Sequence, residues 1–368
     1  MTPTQPIAVY GATGYTGRLV AAELRRRELP FVLCGRDPDK LRPLAATLGS
    51  PEVRTAAVGD RDALRHAFGD CAAVINCAGP FTVLGEPVVR AAVETGTHYV
   101  DTAGEQPFIK LVADRYDEAA RAAEVAVIPA MGFDYVPGDL LCRVVARDHE
   151  PAETLDVAYA VSGFGATRGT LRSAVEAMKG DDVVWEDGAW LPAGAGPLRA
   201  SAVFPEPYGR EVVAKYPCGE IVSVPRHTRV RTLRARIAVS GLVPAGPLAP
   251  LVPPLMAALA PMLRTPVRRV LQAAIGLLPE GPPEDARRAS RFCIVVAVHG
   301  VDGSVGRGVT QGTDVYGLTA ACTAYAAALL AEPDYARSGV LSVASAFEPV
   351  AFLDALKQHG LSWEVSGA

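Results

Sequence analysis

Three glycines spaced Gly11-x-x-Gly14-x-x-Gly17 follow the apolar run Ile7-Ala8-Val9-Tyr10 and precede Leu19, Val20 and Leu24 at helical spacing. Strand, glycine turn and helix in that order make a cradle for a pyrophosphate. Gly11 permits the tight turn, Gly14 lets the backbone approach the phosphates, and Gly17 lets helix and strand pack closely. The helix N-terminus then turns its free N–H groups toward the anion. Thr13, Tyr15 and Thr16 belong to the same cradle. The next apolar run, Phe31-Val32-Leu33-Cys34-Gly35, ends at Arg36. An acidic residue at that place would hold a ribose 2′-hydroxyl. A guanidinium instead pairs bidentately with a 2′-phosphate, which a carboxylate would repel. Lys40, one helical turn on, adds charge. NADP(H) is therefore expected over NAD(H), with Asp37 as the residue that would take the hydroxyl role in the other case.

Hydride transfer asks little of side chains beyond holding the nicotinamide, plus one proton donor or acceptor. Asn76, Ala78, Gly79, Pro80 and Phe81 close the fourth apolar run with a small-residue turn and are assigned to the nicotinamide side. Tyr135 is the best donor candidate, because a neutral phenol donates at pH 7; Asp134 is its rival. Asp139 reads equally as a residue of the next helix's first turn, and Asp101 and Glu105 as caps of the helix after the fifth strand. Cys77 lies near the same rim, and a small buried cysteine is the plainer account of it. The chain has no HExxH, no metal-like Cys/His cluster, no GxSxG elbow and no tyrosine followed by lysine four residues later. A metal centre is not expected.

These residues need elements to carry them. Apolar runs at 6–10, 30–35, 53–58, 72–77, 97–101 and 125–129 alternate with amphipathic stretches at 17–27, 38–48, 61–68, 85–95 and 107–123. Such alternation predicts a doubly wound parallel sheet, Rossmann-type, whose ligand lies outside the carboxyl ends of the strands. After a helix at 138–147, longer alternating runs at 154–162, 199–204, 211–215, 219–224, 229–240 and 290–300 predict a mostly antiparallel sheet with a helix near 169–179. The fold class is α/β with a second α+β domain. Three segments are expected: 1–137, dinucleotide-binding; 138–312, for substrate and dimerisation; and 313–368, returning to the first domain by an alanine-rich helix at 313–331, with a short helix and one strand in 350–365.

Of 368 residues, 49% are hydrophobic and 21% charged, with a net charge of −4, so large cores are within reach and nucleic acid is an unsuitable partner. The cysteines (34, 71, 77, 142, 218, 293 and 322) are odd in number and show no CxxC spacing. With a first strand near residue 6, they suit a cytoplasmic protein without a signal peptide. The apolar, proline-broken segment 248–263 is too short to span a bilayer. It reads as a packed helical excursion, a lid over an apolar substrate or a weak membrane contact.

The stretches Gly11-Ala12-Thr13-Gly14-Tyr15-Thr16-Gly17, Gly35-Arg36 with Lys40-Leu41, Asn76-Cys77-Ala78-Gly79-Pro80-Phe81, Gly96 to Glu105 and Gly132 to Asp139 resemble the saccharopine dehydrogenase-like oxidoreductases. Arg168-Gly169-Thr170 and Tyr316-Gly317-Leu318-Thr319 are most similar to the branch that includes trans-acting enoyl reductases. The match is poorest at 180–285. The resemblance implies an NADP-dependent reductase, often a dimer, that reduces a carbon–carbon double bond in a chain held on a partner synthase. Arg168 and Thr170 are carried over as substrate-binding. An imine or carbonyl reductase of a small polar metabolite, and an NADP-binding protein without turnover, stand as alternatives.

Overall fold

The computed structural model describes residues 5–179, 181–194, 200–241 and 260–367. They fall into two compact units, each discontinuous in sequence. The first comprises Met1–Gly104, Phe108–Phe133 and Tyr316–Ala346. Strands and helices alternate as β1 (Ile7–Tyr10), α1 (Tyr15–Arg26), β2 (Phe31–Gly35), α2 (Pro38–Thr47), β3 (Val53–Thr55), α3 (Arg61–Phe68), β4 (Ala73–Asn76), α4 (Phe81–Glu94), β5 (His98–Asp101), α5 (Gln106–Ala122) and β6 (Ala126–Ile128). Every strand pairing in this sheet is parallel, in the order Gly339–Val340, β6, β5, β4, β1, β2, β3. Ile7, Ala8 and Val9 are wholly buried because helices cover both faces, so the strand is continuously apolar rather than alternating. In α1 the buried residues Gly17, Val20, Ala21 and Leu24 recur at intervals of three and four, the stripe that seats a helix on a sheet. The strand order reverses between β1 and β4, which opens a crevice at their carboxyl ends.

Two late elements complete this unit. The helix Val315–Leu330 buries Ala320, Ala321, Ala324, Ala326 and Ala327, whose small side chains allow close approach. Gly339–Val340 then adds a parallel edge strand to β6, and the Val340 N–H donates to Asp117 Oδ1 at 2.8 Å. Two residues are too few for a sequence signal, and this strand was not expected.

The second unit, Glu105–Pro107, Asp134–Val315 and Phe347–Ala368, holds a sheet of nine strands among the described residues. Its centre is Ala152–Ser162, flanked by Val230–Ala238 in parallel and by Arg291–Gly300 antiparallel; Val305–Thr313 and Ser362–Gly367 continue the antiparallel side. The helix α6 (Val136–Ala146) lies against Arg291–Gly300 and Val305–Thr313. Gly308 makes that approach possible, since a Cβ there would press on Val145 and Leu141.

The run 219–224, expected as a strand, is a helical turn, Glu220–Ser223, continued by a 3-10 turn at Val224–Arg226. Ile221, Val222 and Val224 are buried without alternation, and Pro225 cannot donate to a ladder, so β-branched content misled there. Elements not anticipated include the strand Val305–Thr313, the hairpin Val183–Glu186/Ala189–Pro192 and the helices Val267–Ile275 and Glu284–Ala289. Of the segment 313–368, Tyr316–Ala346 belongs to the first unit, whereas Phe347–Ala368 belongs to the second. Residues 248–259 lie outside the described residues, and Ala260–Arg264 form a 3-10 helix.

Candidate cofactor site

The crevice begins at the glycine turn. Gly11 has φ +77°, which a side chain would strain, and a Cβ there would sit 3.0 Å from the backbone N of Ala78. At Gly17 a Cβ would collide with the Gly11 carbonyl oxygen. Gly14 is the N-cap of α1 and provides no capping side chain, and the first turn of that helix holds no acidic residue. The positive end of the helix dipole is thus left for a ligand anion. The Gly11 and Ala12 N–H groups donate to Cys34 O at 3.0 and 3.3 Å, tying the turn to the end of β2. Arg18 Nη1 donates to Thr13 O at 2.6 Å and braces the loop. Tyr15 stands edge-on to Tyr316 with ring centroids 5.3 Å apart, so the distant Tyr316–Thr319 motif lands beside the cradle. Thr319 Oγ1 in turn accepts from the Phe133 N–H at 3.0 Å.

At the end of β2 the two candidate residues have different work. Asp37 caps α2: its Oδ1 accepts from the N–H groups of Asp39 at 3.1 Å and Lys40 at 3.3 Å. Its Oδ2 lies 3.3 Å from Lys40 Nζ, and hydrogen bonding from Lys40 holds the carboxyl below its ordinary pKa. Arg36 is exposed and makes no salt bridge among the described residues. A carboxylate occupied in capping beside an unpaired guanidinium is the arrangement a 2′-phosphate needs and a 2′-hydroxyl does not. Lys40 is partly engaged by Asp37 and contributes charge rather than a free ligand.

At the carboxyl end of β4, Asn76 is wholly buried. Its Oδ1 accepts from the Ala78 N–H at 2.9 Å, and its Nδ2 donates to the Tyr99 hydroxyl at 3.1 Å. The Asn76 side chain therefore shapes the turn, leaving Ala78, Gly79 and Pro80, all half-buried, as the surface the turn presents. The Phe81 ring is 4% exposed and lies 5.7 Å from the Phe108 ring, inside the hydrophobic core. Its contribution to the rim is backbone only. Burial, and next the Asp101 charge, push the Cys77 thiol up to about 12, which leaves no thiolate at neutral pH. Asp101 Oδ1 accepts from the N–H groups of Ala103 at 2.9 Å and Ala130 at 2.8 Å. Glu105 takes the Ser173 hydroxyl at 2.7 Å.

Residues 7–128 match the family described as the saccharopine dehydrogenase NADP binding domain. That matched stretch lies within the first unit, apart from Glu105–Pro107. Relatives include the mouse (Mus musculus) saccharopine dehydrogenase-like oxidoreductase, 33% identical over 152 residues, covering 36% of this chain and 35% of that one. The trans-acting enoyl reductase of Mycobacterium leprae (strain TN) is 34% identical over 185 residues, covering 47% of this chain and 44% of that one. The aligned stretches thus span less than half of either relative. Among solved structures, apo saccharopine dehydrogenase (L-Glu forming) from Saccharomyces cerevisiae shares the fold over 98% of this chain and 100% of that one, with a TM-score of 0.60 at 15% identity.

Beyond the saccharopine dehydrogenase-type domain, the second unit holds the remaining candidates. Tyr135 is 3% exposed, and its ring stacks on that of half-buried Tyr216 at 6.4 Å. Burial raises its pKa well above 10, and Tyr216 and Asp134 add to the shift. Asp139 is a first-turn residue of α6 whose Oδ1 accepts from Ser223 Oγ at 2.5 Å and lies 3.1 Å from His227 Nε2. Arg168 opens the helix Arg168–Ala177 and donates from Nη1 to Gly276 O at 3.2 Å. Thr170 N–H donates to the capping Thr167 Oγ1 at 3.0 Å, and the two hydroxyls lie 2.9 Å apart. Both substrate-binding candidates thus have local partners. Among the described residues, no group of three or more His, Cys, Asp or Glu is placed to hold a metal.

Proposed function

We propose that this chain is an NADPH-dependent reductase that saturates a carbon–carbon double bond in an apolar or carrier-tethered substrate. The observation that carries the cofactor half is the unpaired Arg36 beside an Asp37 already committed to capping. The reaction half is supported by the 34% identity to a protein named as a trans-acting enoyl reductase.

NADPH, when bound, supplies the hydride. The glycine turn and the α1 N-terminus would hold its pyrophosphate, Arg36 its 2′-phosphate, and Ala78, Gly79 and Pro80 would border the nicotinamide. Tyr135 is assigned the proton for the second carbon, with Asp134 beside it in sequence. Burial keeps the phenol neutral at pH 7 but also makes it a weaker acid, so its donation would require the bound substrate and cofactor to stabilise the phenolate as it forms. Reprotonation of the phenolate from solvent would complete the cycle.

The reading includes a homodimer, a synthase that presents the substrate and a cytoplasmic site, the last in keeping with seven cysteines that form no disulfide. Weak membrane contact near 248–263 is supported by the neighbouring helix Val267–Ile275, where Val270 is 69% exposed. Among the described residues, no helix is long and apolar enough to cross a membrane.

The test follows NADPH oxidation at 340 nm (the nicotinamide absorbance) with an α,β-unsaturated acyl thioester and, separately, with a cyclic imine. Turnover of the thioester, lost about a hundredfold in Tyr135→Phe, is expected for a general acid. Turnover of the imine alone would reverse the assignment of substrate.

A further inference from the structure

The carboxyl ends of β4, β5 and β6 are joined by a buried chain of hydrogen bonds that has a direction. Asn76 Oδ1 is taken by the Ala78 N–H, so its amide must point Nδ2 toward Tyr99, donating at 3.1 Å. That leaves the Tyr99 proton to go to Asp101 Oδ2 at 2.8 Å. Asp101 Oδ1 then accepts from Ala103 and Ala130 at 2.9 and 2.8 Å. Asn76, Tyr99 and Asp101 are each 0% exposed. Ala130 has φ +64°, a left-handed conformation that an alanine adopts only when its surroundings require it. The Asp101 carboxylate is one of those constraints, and the Asp101 carbonyl, accepting from Met131 N–H at 2.7 Å, is another.

All these atoms lie on the side of β1 away from β2 and Arg36. A dinucleotide laid across the crevice with its 2′-phosphate at Arg36 puts its nicotinamide half over these turns. We propose that Asp101, acting through Tyr99 and Asn76, is a positioning residue of the nicotinamide half of the cofactor site, holding the 77–80, 102–104 and 129–131 turns in register. The inference rests on the NADP-binding domain and not on the proposed reaction, so it survives or fails independently of the substrate.

The direction of the chain supplies the test. In Asp101→Asn the retained oxygen still serves Ala103 and Ala130, but the new amide faces Tyr99, whose hydroxyl then meets two donors and has no acceptor. Exchanging both ends, Asn76→Asp with Asp101→Asn, gives the Tyr99 hydroxyl one donor and one acceptor again, with its proton reversed toward residue 76. Isothermal titration with NADPH and with adenosine 2′,5′-bisphosphate, which lacks the nicotinamide, separates positioning from general damage. Asp101→Asn should raise the NADPH Kd about tenfold while the bisphosphate Kd stays within about twofold. The double exchange should return NADPH binding to within about threefold of the starting protein. Unchanged NADPH binding in Asp101→Asn, parallel weakening of both ligands, or a double exchange as weak as the single would each overturn the proposal. If Asp101→Asn shows no thermal transition, Tyr99→Phe breaks the chain without moving a charge, and the same selective loss decides the matter.

Discussion

Arg36 illustrates how little separates two cofactors at the level of a side chain. Its neighbour Asp37 is a perfectly good ribose ligand in type, yet its oxygens are occupied by the start of α2 and by Lys40. Replacing Arg36 by alanine removes a charge-assisted pair worth about 1.5–3 kcal/mol, so NADPH affinity should drop by about 10–100-fold while NADH is little affected. Fluorescence titration of both nucleotides checks this, and an equal loss for both would contradict it. Glu220 makes a prediction of another kind. Burial raises its carboxyl from 4.5 to about 8, and Tyr159 donates to its Oε1. The folded chain therefore holds a proton on Glu220 that the unfolded chain releases above about pH 4.5. That contribution to stability is present at low pH and is lost as pH rises through about 8. Glu220→Gln cannot titrate, so its Tm should gain on that of the wild type steadily between pH 4.5 and 8; a constant offset would argue against it.

At the scale of elements, agreement is closest where one period governs a whole segment. α3 spans Arg61–Phe68 and α2 starts at Pro38, the same starts that capping Asp60 and Asp37 dictate. Failure came where tertiary contacts chose the conformation. The hairpin at 183–192 turns on Asp187 and Gly188, both with positive φ at 50° and 78°, and is fastened by Trp185 against Trp190 at 4.7 Å. The Asp-Gly turn was a legible signal; the short, half-exposed strands around it were not. Gly188→Val should cost about 1–2 kcal/mol, because a β-branched residue is forced into the left-handed region, and denaturant unfolding would measure it. The Tyr316–Thr319 motif was visible in the sequence. Its place against Tyr15 and Phe133 was not, since nothing local encodes partners so far away, Phe133 being 186 residues from Thr319 and Tyr15 farther still.

Over the whole chain, neither unit is contiguous. The first closes only when Tyr316–Ala346 supplies Tyr316, Thr319 and the edge strand Gly339–Val340; the second needs Phe347–Ala368 for its last strand. A chain ending at Thr313 should therefore lose cooperative unfolding in both units together, not merely the tail. Calorimetry would show it, and a surviving sharp transition with NADPH bound would refute it.

Local physics settled a good deal in advance. Alternating apolar runs determine a parallel sheet, and three glycines after the first run determine a tight turn into a helix, because turn sterics and strand burial depend on nearest neighbours. The sequence could not determine that Asn76 is spent on Ala78 and Tyr99 rather than on a ligand. Nor could it tell that Phe81 faces Phe108, that 219–224 coils instead of extending, or that Asp101 reaches across to Ala130. Each of those is a choice among partners far apart in the chain, and only the packed tertiary structure, which buries a polar group solely where a partner meets it, makes that choice.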